Sequence, residues 1–202
     1  RLLLSSAAGR SPGNFVYLGD DTGLLIERVW GHLKDRPAHG RLLDICCGSG
    51  TISLALAEHF QETVGSDLNE DAIRLAQSTL QLNRSFQGES QLANCGFVSG
   101  SGYQAVEGKF DWIVGNPPAL PGVPRENLYA CGGESSTDLT LSLVAGLEQF
   151  LADNGRVVFL TFSPGLLLWQ QLQNLLTGRF SLNYVIRARF ECRVSAAGQS
   201  YN

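Results

Sequence analysis

Apolar residues fall in two rhythms along this chain. Leu25, Ile26, Val29, Trp30 and Leu33 recur at helical spacing, as do Ala72, Ile73, Ala76 and Leu80, and again Leu139, Leu143, Val144, Leu147 and Leu151. Each set falls on one face of a helix. Asp20-Asp21-Thr22 offers caps for the first of these. Leu168, Leu172, Leu175 and Leu176 mark a further helix, and residues 51–59 another. Between the helices lie short apolar runs that read as strands, at residues 41–46, 62–67, 96–99, 110–115 and 157–161, with a long final strand at 181–192. Residues 37–40 and Asn154-Gly155 read as turns, and 85–95 as a polar loop. Strands alternating with helices predict an α/β, Rossmann-like fold, a mostly parallel sheet with helices on both faces. Such sheets bind ligands at the carboxyl ends of their strands. One domain is expected over residues 15–194, after a flexible lead-in at 1–14 and before a polar tail at 195–202.

Composition narrows this only a little. The 202 residues are 44% hydrophobic and 17% charged, ordinary for a globular chain. A net charge of −4 gives no general attraction to nucleic acid or to anionic membranes. The five cysteines are scattered, apart from adjacent Cys46 and Cys47, with no Cys/His pattern at metal spacing. Reduced thiols in a cytoplasmic protein without a metal are the expectation. No apolar run is long enough to cross a bilayer, so no membrane partner is expected. The composition says nothing of oligomeric state.

Two strand ends carry chemistry. The first is Leu42-Leu43-Asp44-Ile45-Cys46-Cys47-Gly48-Ser49-Gly50, a glycine turn between a strand and a helix. Gly48 and Gly50 let the backbone turn sharply and approach a ligand. Asp67 ends the next strand and can accept from both hydroxyls of a ribose. Asp44 can orient the loop or reach the amino-acid end of a ligand through water. The dinucleotide fingerprint wants a third glycine in the helix, where this chain has Ile52-Ser53-Leu54. That favours S-adenosylmethionine over NAD, with an ordinary tight strand–helix junction as the structural alternative.

The second strand end is Asn116-Pro117-Pro118, after Phe110-Asp111-Trp112-Ile113-Val114-Gly115. The Asn116 side-chain carbonyl and the backbone carbonyl of Pro117, on a chain stiffened by two prolines, can accept the two N–H groups of a planar nitrogen. Aiming such a nitrogen at a sulfonium methyl is mostly a matter of positioning and electrostatics. Asn-Pro-Pro as a mere turn remains open from the residues alone. Residues 117–137 hold four of the seven prolines, a long connection of the sort that carries function.

These segments resemble the class I S-adenosylmethionine-dependent methyltransferases, and among them the release-factor glutamine methyltransferase (HemK-like) type. Asp44 to Gly50 is similar to that family's Asp-x-Gly-x-Gly-Ser-Gly loop, with Cys46 in place of the first glycine. Gly65-Ser66-Asp67-Leu68-Asn69-Glu70 is similar to its ribose-binding strand. Gly132-Gly133-Glu134-Ser135-Ser136-Thr137-Asp138 and Asp21-Thr22-Gly23-Leu24-Leu25-Ile26-Glu27 match two further stretches. The resemblance implies cofactor contacts at Asp44, Cys46, Gly48, Gly50, Asp67, Leu68, Ser101, Gly102 and Asn116, and catalytic roles for Asn116 and Pro117. Ser101 stands where the family often has an acid near the adenine. Ala119 replaces the ring that follows the second proline and stacks on the acceptor, a gap that Tyr17, Tyr129 or Phe162 could fill. The helical substrate-recruiting domain of true release-factor enzymes is not among these residues. The implied function is methyl transfer from S-adenosylmethionine to a nitrogen of a protein glutamine, a nucleobase amine or a small metabolite. The alternative is a domain that binds the cofactor and serves as a non-catalytic partner or scaffold.

The other polar candidates read as structural. His32, His39 and His59 have no ligand partners at metal spacing and read as surface residues. Glu134, Asp138 and Arg125 are candidates for substrate contact, with Asp138 equally a helix cap.

Overall fold

The computed structural model describes residues 16, 18–33, 40–88, 92–120, 123, 129–162 and 167–176. The lead-in, Tyr17, His39, Arg125, the predicted final strand and the polar tail lie outside them. Five strands, β1 (Arg41–Ile45), β2 (Glu62–Asp67), β3 (Cys95–Ser99), β4 (Phe110–Gly115) and β5 (Leu151–Phe159), form one sheet in the order β3-β2-β1-β4-β5. Every pairing is parallel. From β1 the chain first builds outward through β2 and β3, then returns to place β4 on the other side. The carboxyl ends of β1 and β4 therefore flank the point where the strand order reverses, the position at which open α/β sheets hold ligands.

Burial follows from strand alternation. Leu42, Trp112 and Val114 pack with Leu25, Ile26, Val29 and Leu33 of α1 (Asp20–Leu33) and Ile52 and Leu56 of α2 (Thr51–Leu56). Leu43, Ile45 and Ile113 point the other way, onto Leu143, Val144 and Leu147 of α4 (Asp138–Phe150) and Leu176 of α5 (Leu167–Leu176). A third cluster joins Ile73, Ala76 and Leu80 of α3 (Glu70–Gln87) to Cys95 and Phe97 of β3. Helices thus cover both faces.

Four local readings change. The α3 helix runs on through Ser85, Phe86 and Gln87, which read as loop because they are polar or exposed. It stops at Gly88, whose φ of 97° no longer continues a helix and whose N–H bonds Arg84 O at 2.9 Å. Leu151 begins β5 rather than ending α4. Asn154-Gly155 is a bulge inside β5: Leu151 pairs with Phe110 and Arg156 with Trp112, and Asn154 takes φ 62°. Trp30 is 40% exposed, one residue round from the buried stripe of Leu25, Ile26, Val29 and Leu33.

Candidate active site

Asp44 is a charged residue in the buried part of β1, 0% exposed. Its Oδ2 accepts both the N–H of Ser53 at 2.9 Å and its hydroxyl at 2.7 Å, so the carboxylate holds the first turn of α2 against the end of β1. Its Oδ1 is buried without a partner among the described residues. Burial, opposed by the two Ser53 bonds and reinforced by the nearby charge of Asp67, raises the Asp44 carboxyl to about 7. A buried oxygen left open beside a glycine loop fits a polar group or water brought in by a ligand.

The loop after β1 turns at Cys46, which takes φ 61°. Glycine suits that conformation, and a side chain there carries strain of roughly 1–2 kcal/mol. Gly48 and Gly50 follow at φ 54° and 76°. The N–H of Cys47 bonds Ser66 O at 3.0 Å, tying the loop to β2. A Cβ on Gly50 would lie 2.5 Å from Phe97 Cζ, and one on Gly65 would lie 2.5 Å from Phe97 Cδ1. The Phe97 ring thus fills the space beneath the turn. Spacing arguments did not single it out, because its part is steric and comes from β3. The Cys46 and Cys47 thiols are pushed up by burial and by the Asp44 and Asp67 charges, so both stay protonated and inert.

Asp67 ends β2. Its Oδ2 accepts the N–H of Gly48 at 2.9 Å and its Oδ1 that of Asn69 at 2.8 Å. With the Leu68 N–H also drawn towards it, the carboxylate keeps a lone pair for a hydroxyl. Burial raises its carboxyl, and the backbone bonds to Asn69, Gly48 and Leu68 pull it back. Leu68 follows, 56% exposed. The N–H of Gly100 bonds Asp67 O at 2.9 Å, which brings the turn at Ser101 and Gly102 beside Leu68. Ser101 is exposed and Gly102 takes φ 55°. Asp44, Cys46, Gly48, Gly50, Asp67, Leu68, Ser101 and Gly102 therefore lie at the carboxyl ends of three adjacent strands.

Asn116 leaves β4 beside them, across the reversal. Gly115 brings the strands close, since a Cβ there would lie 2.6 Å from Ile45 O. The Asn116 Nδ2 donates to Asp21 Oδ2 of α1 at 3.0 Å. The sequence marks Asp21 as a helix cap and as part of a stretch similar to the family's; nothing in its spacing points to a partner 95 residues away. Pro117 is buried and Pro118 half-buried. Ala119 is 8% exposed, beneath the loop that precedes α4. A Cβ on Gly132 would meet Ser136 O at 2.2 Å, and Ala119 Cα and Pro118 O at 2.8 Å, so that glycine is what lets the loop lie on the proline segment. Leu120 N–H bonds Ala130 O at 2.9 Å in the same contact. Asp138 accepts from the N–H of Ser135 at 3.1 Å and from its hydroxyl, so its carboxylate closes this loop. Glu134 is exposed. Tyr129 and Phe162 are 38% and 39% exposed, and so not core residues.

No group of three or more His, Cys, Asp or Glu residues among those described could hold a metal ion. No described helix is long and apolar enough to cross a membrane.

The model of the methyltransferase small domain family matches residues 12–164. The chain belongs to this family. Membership places it among the S-adenosylmethionine-dependent methyltransferases, and the glycine loop, the open Asp44 oxygen and the Asp67 carboxylate fit that cofactor. The chain is 32% identical over 173 residues to release factor glutamine methyltransferase of Haemophilus influenzae, covering 75% of this chain and 55% of the relative. It is 30% identical over 159 residues to ribosomal RNA small subunit methyltransferase C of Salmonella paratyphi B, covering 76% and 40%. The chain thus spans about half the length of these relatives or less. Among solved structures, ribosomal protein L11 methylase of Lactobacillus delbrueckii subsp. bulgaricus is similar with TM-score 0.59 and 19% identity, over 79% of this chain and 69% of that one. That likeness concerns the fold, and with the sheet order it bears out the Rossmann-like expectation.

Proposed function

We propose that this domain transfers a methyl group from S-adenosylmethionine to a planar nitrogen, the side-chain amide of a protein glutamine or a nucleobase amine. The observation that carries the reading is the placing of Asn116-Pro117 at the end of β4, next to the β1 glycine loop at the reversal of strand order. The two relatives named above act, by their names, on a release-factor glutamine and on small-subunit ribosomal RNA. A glutamine side-chain amide and a nucleobase amine each present a flat nitrogen with two N–H groups to hold. Ribosomal RNA thus stays among the acceptor classes, although a net charge of −4 gives no general affinity for it. We place the reaction in the cytoplasm.

The cofactor supplies the activated methyl on its sulfonium. Asp67 accepts from the ribose hydroxyls, Gly48 and Gly50 let the backbone come close, and Leu68 covers the adenine beside Ser101 and Gly102. Cys46 and Asp44 shape the amino-acid end, and Asn116 borders the methyl. Asn116 Oδ1 and Pro117 O accept the two acceptor N–H groups, holding the nitrogen in line with the methyl. Transfer would form the N–C bond as the S–C bond breaks, leaving S-adenosylhomocysteine, and the surplus proton would then pass to water, so no strong base is needed beforehand.

The test is labelled-methyl transfer to a release factor, to deproteinised small-subunit RNA and to assembled small subunits. Asn116→Ala should leave calorimetric affinity for S-adenosylhomocysteine within about twofold and lower turnover about 100-fold. Full turnover in Asn116→Ala would refute the assignment.

A further inference from the structure

We propose that Asp21, at the start of α1, fixes which way the Asn116 amide faces and is a positioning residue for the acceptor nitrogen; this rests on the methyl-transfer reading above. Asn116 Nδ2 donates to Asp21 Oδ2 at 3.0 Å, while Asp21 Oδ1 accepts the N–H of Thr22 at 2.8 Å. An ionised carboxylate offers acceptors only, so it accepts the NH2 side of an amide and repels the oxygen side. The amide cannot flip, and Oδ1 is left facing away from α1. A backbone carbonyl would hold the loop as well as this carboxylate does, so the charge needs a further reason. A donor bonded to a carboxylate pushes electron density onto the amide oxygen, making Oδ1 a stronger acceptor. That gain is largest where the partner N–H grows more acidic, as it does on a nitrogen taking up a methyl. The anchor is firm. Asp21 sits at the head of a helix whose Leu25, Ile26 and Val29 lie in the core beneath β1 and β4.

Asp21→Asn is the informative change. It keeps an oxygen for the Thr22 N–H but lets Asn116 pair in either orientation. Expected are turnover about tenfold lower, an unchanged KM for the acceptor, unchanged affinity for S-adenosylhomocysteine and an unchanged melting temperature. In an Asn116→Ala background Asp21→Asn should do nothing more, since its effect passes through that amide. A readout free of turnover is the 15N-labelled side-chain amide signal of Asn116, identified by its loss in Asn116→Ala. It should shift in Asp21→Asn and in Asp21→Ala. An unmoved signal would overturn the contact. Full turnover in Asp21→Asn while Asn116→Ala is inactive would overturn the positioning role alone, and so would a loss that persists without Asn116. A wild-type chain inert on every acceptor overturns the reaction and the role together, with the amide signal still reporting whether the two residues meet.

Discussion

Asp67 Oδ2 accepts the N–H of Gly48 at 2.9 Å, so the carboxylate at the end of β2 also pins the glycine loop that follows β1. On the proposed reading one side chain both accepts from the ribose and shapes the turn beneath it. Asp67→Ala removes both, and affinity for S-adenosylhomocysteine should fall at least tenfold, a loss of about 1.5–3 kcal/mol for charge-assisted bonds. Asp67→Asn separates the parts. Its amide oxygen can still accept from Gly48 while the second oxygen is gone, so its affinity should fall between the two. Calorimetry on the three proteins checks this, and equal affinity in all three would remove Asp67 from the cofactor site.

The conformation of Cys46 gives a stability prediction of unusual sign. Alanine is normally the more stable choice over glycine, by roughly 0.5–1 kcal/mol. At φ 61° a Cβ costs roughly 1–2 kcal/mol, which outweighs that preference. Cys46→Gly should therefore be at least as stable as Cys46→Ala in urea unfolding, by up to about 1.5 kcal/mol. A clearly more stable Cys46→Ala would show that the turn relaxes without cost. Gly31, exposed in α1 with nothing within 4 Å of a Cβ, is the control. There the ordinary order should hold, with Gly31→Ala stabilising by up to about 1 kcal/mol.

Asp44 predicts a pH dependence. Its carboxyl is raised from 3.8 to about 7 by burial. The folded protein therefore binds more protons than the unfolded chain between those values, and stability falls as pH rises through that window. Asp67 is raised as well and acts in the same sense. Asp44→Asn keeps an oxygen for Ser53 and removes the charge. Its melting temperature should gain on wild type as pH rises from about 4 to about 7, then hold a constant lead. The full difference is on the order of 4 kcal/mol. A lead that does not change with pH would mean that Asp44 is ionised throughout.

The parts of this site that could be read from sequence are those set by neighbours in the chain. Arg41–Ile45, Glu62–Asp67 and Phe110–Gly115 announce themselves as apolar runs, and Gly48, Gly50 and Asp67 stand at fixed distances from their ends. What could not be read comes from elements far apart in sequence. Phe97 sits under Gly50 and Gly65, and Asp21 reaches Asn116, only because the sheet order brings β3 beside β2 and α1 beside the end of β4. Asn154-Gly155 is ambiguous for another reason: the pair that makes a turn also makes a bulge, and only the pairing of Leu151 with Phe110 decides between them. Ala119 reads as the place of a ring on the acceptor, and its packing beneath Gly132 is a contact that the sequence does not announce.

That last contact yields a prediction that separates acceptor alignment from cofactor binding. Gly132 lies on Pro118 and Ala119 so closely that an added Cβ would stand 2.8 Å from Pro118 O and from Ala119 Cα, and 2.2 Å from Ser136 O. Two of these are backbone oxygens of chain segments that cannot rotate away, so Gly132→Ala must part the loop from the proline segment or shift both. Overpacking of this kind costs about 1–3 kcal/mol. The displaced segment runs straight into Asn116 and Pro117, whereas Gly48 lies in the loop after β1 and Asp67 ends β2, and the two keep their own bond. Gly132→Ala should thus lower the melting temperature and reduce turnover about tenfold or more, while its affinity for S-adenosylhomocysteine stays within about twofold of wild type, since small misplacements at the reacting centre are costly. Affinity and turnover falling together would mean that the loop from Ala130 to Asp138 supports the cofactor loop as well. Turnover unchanged in a folded Gly132→Ala protein would show that the proline segment holds its place without it.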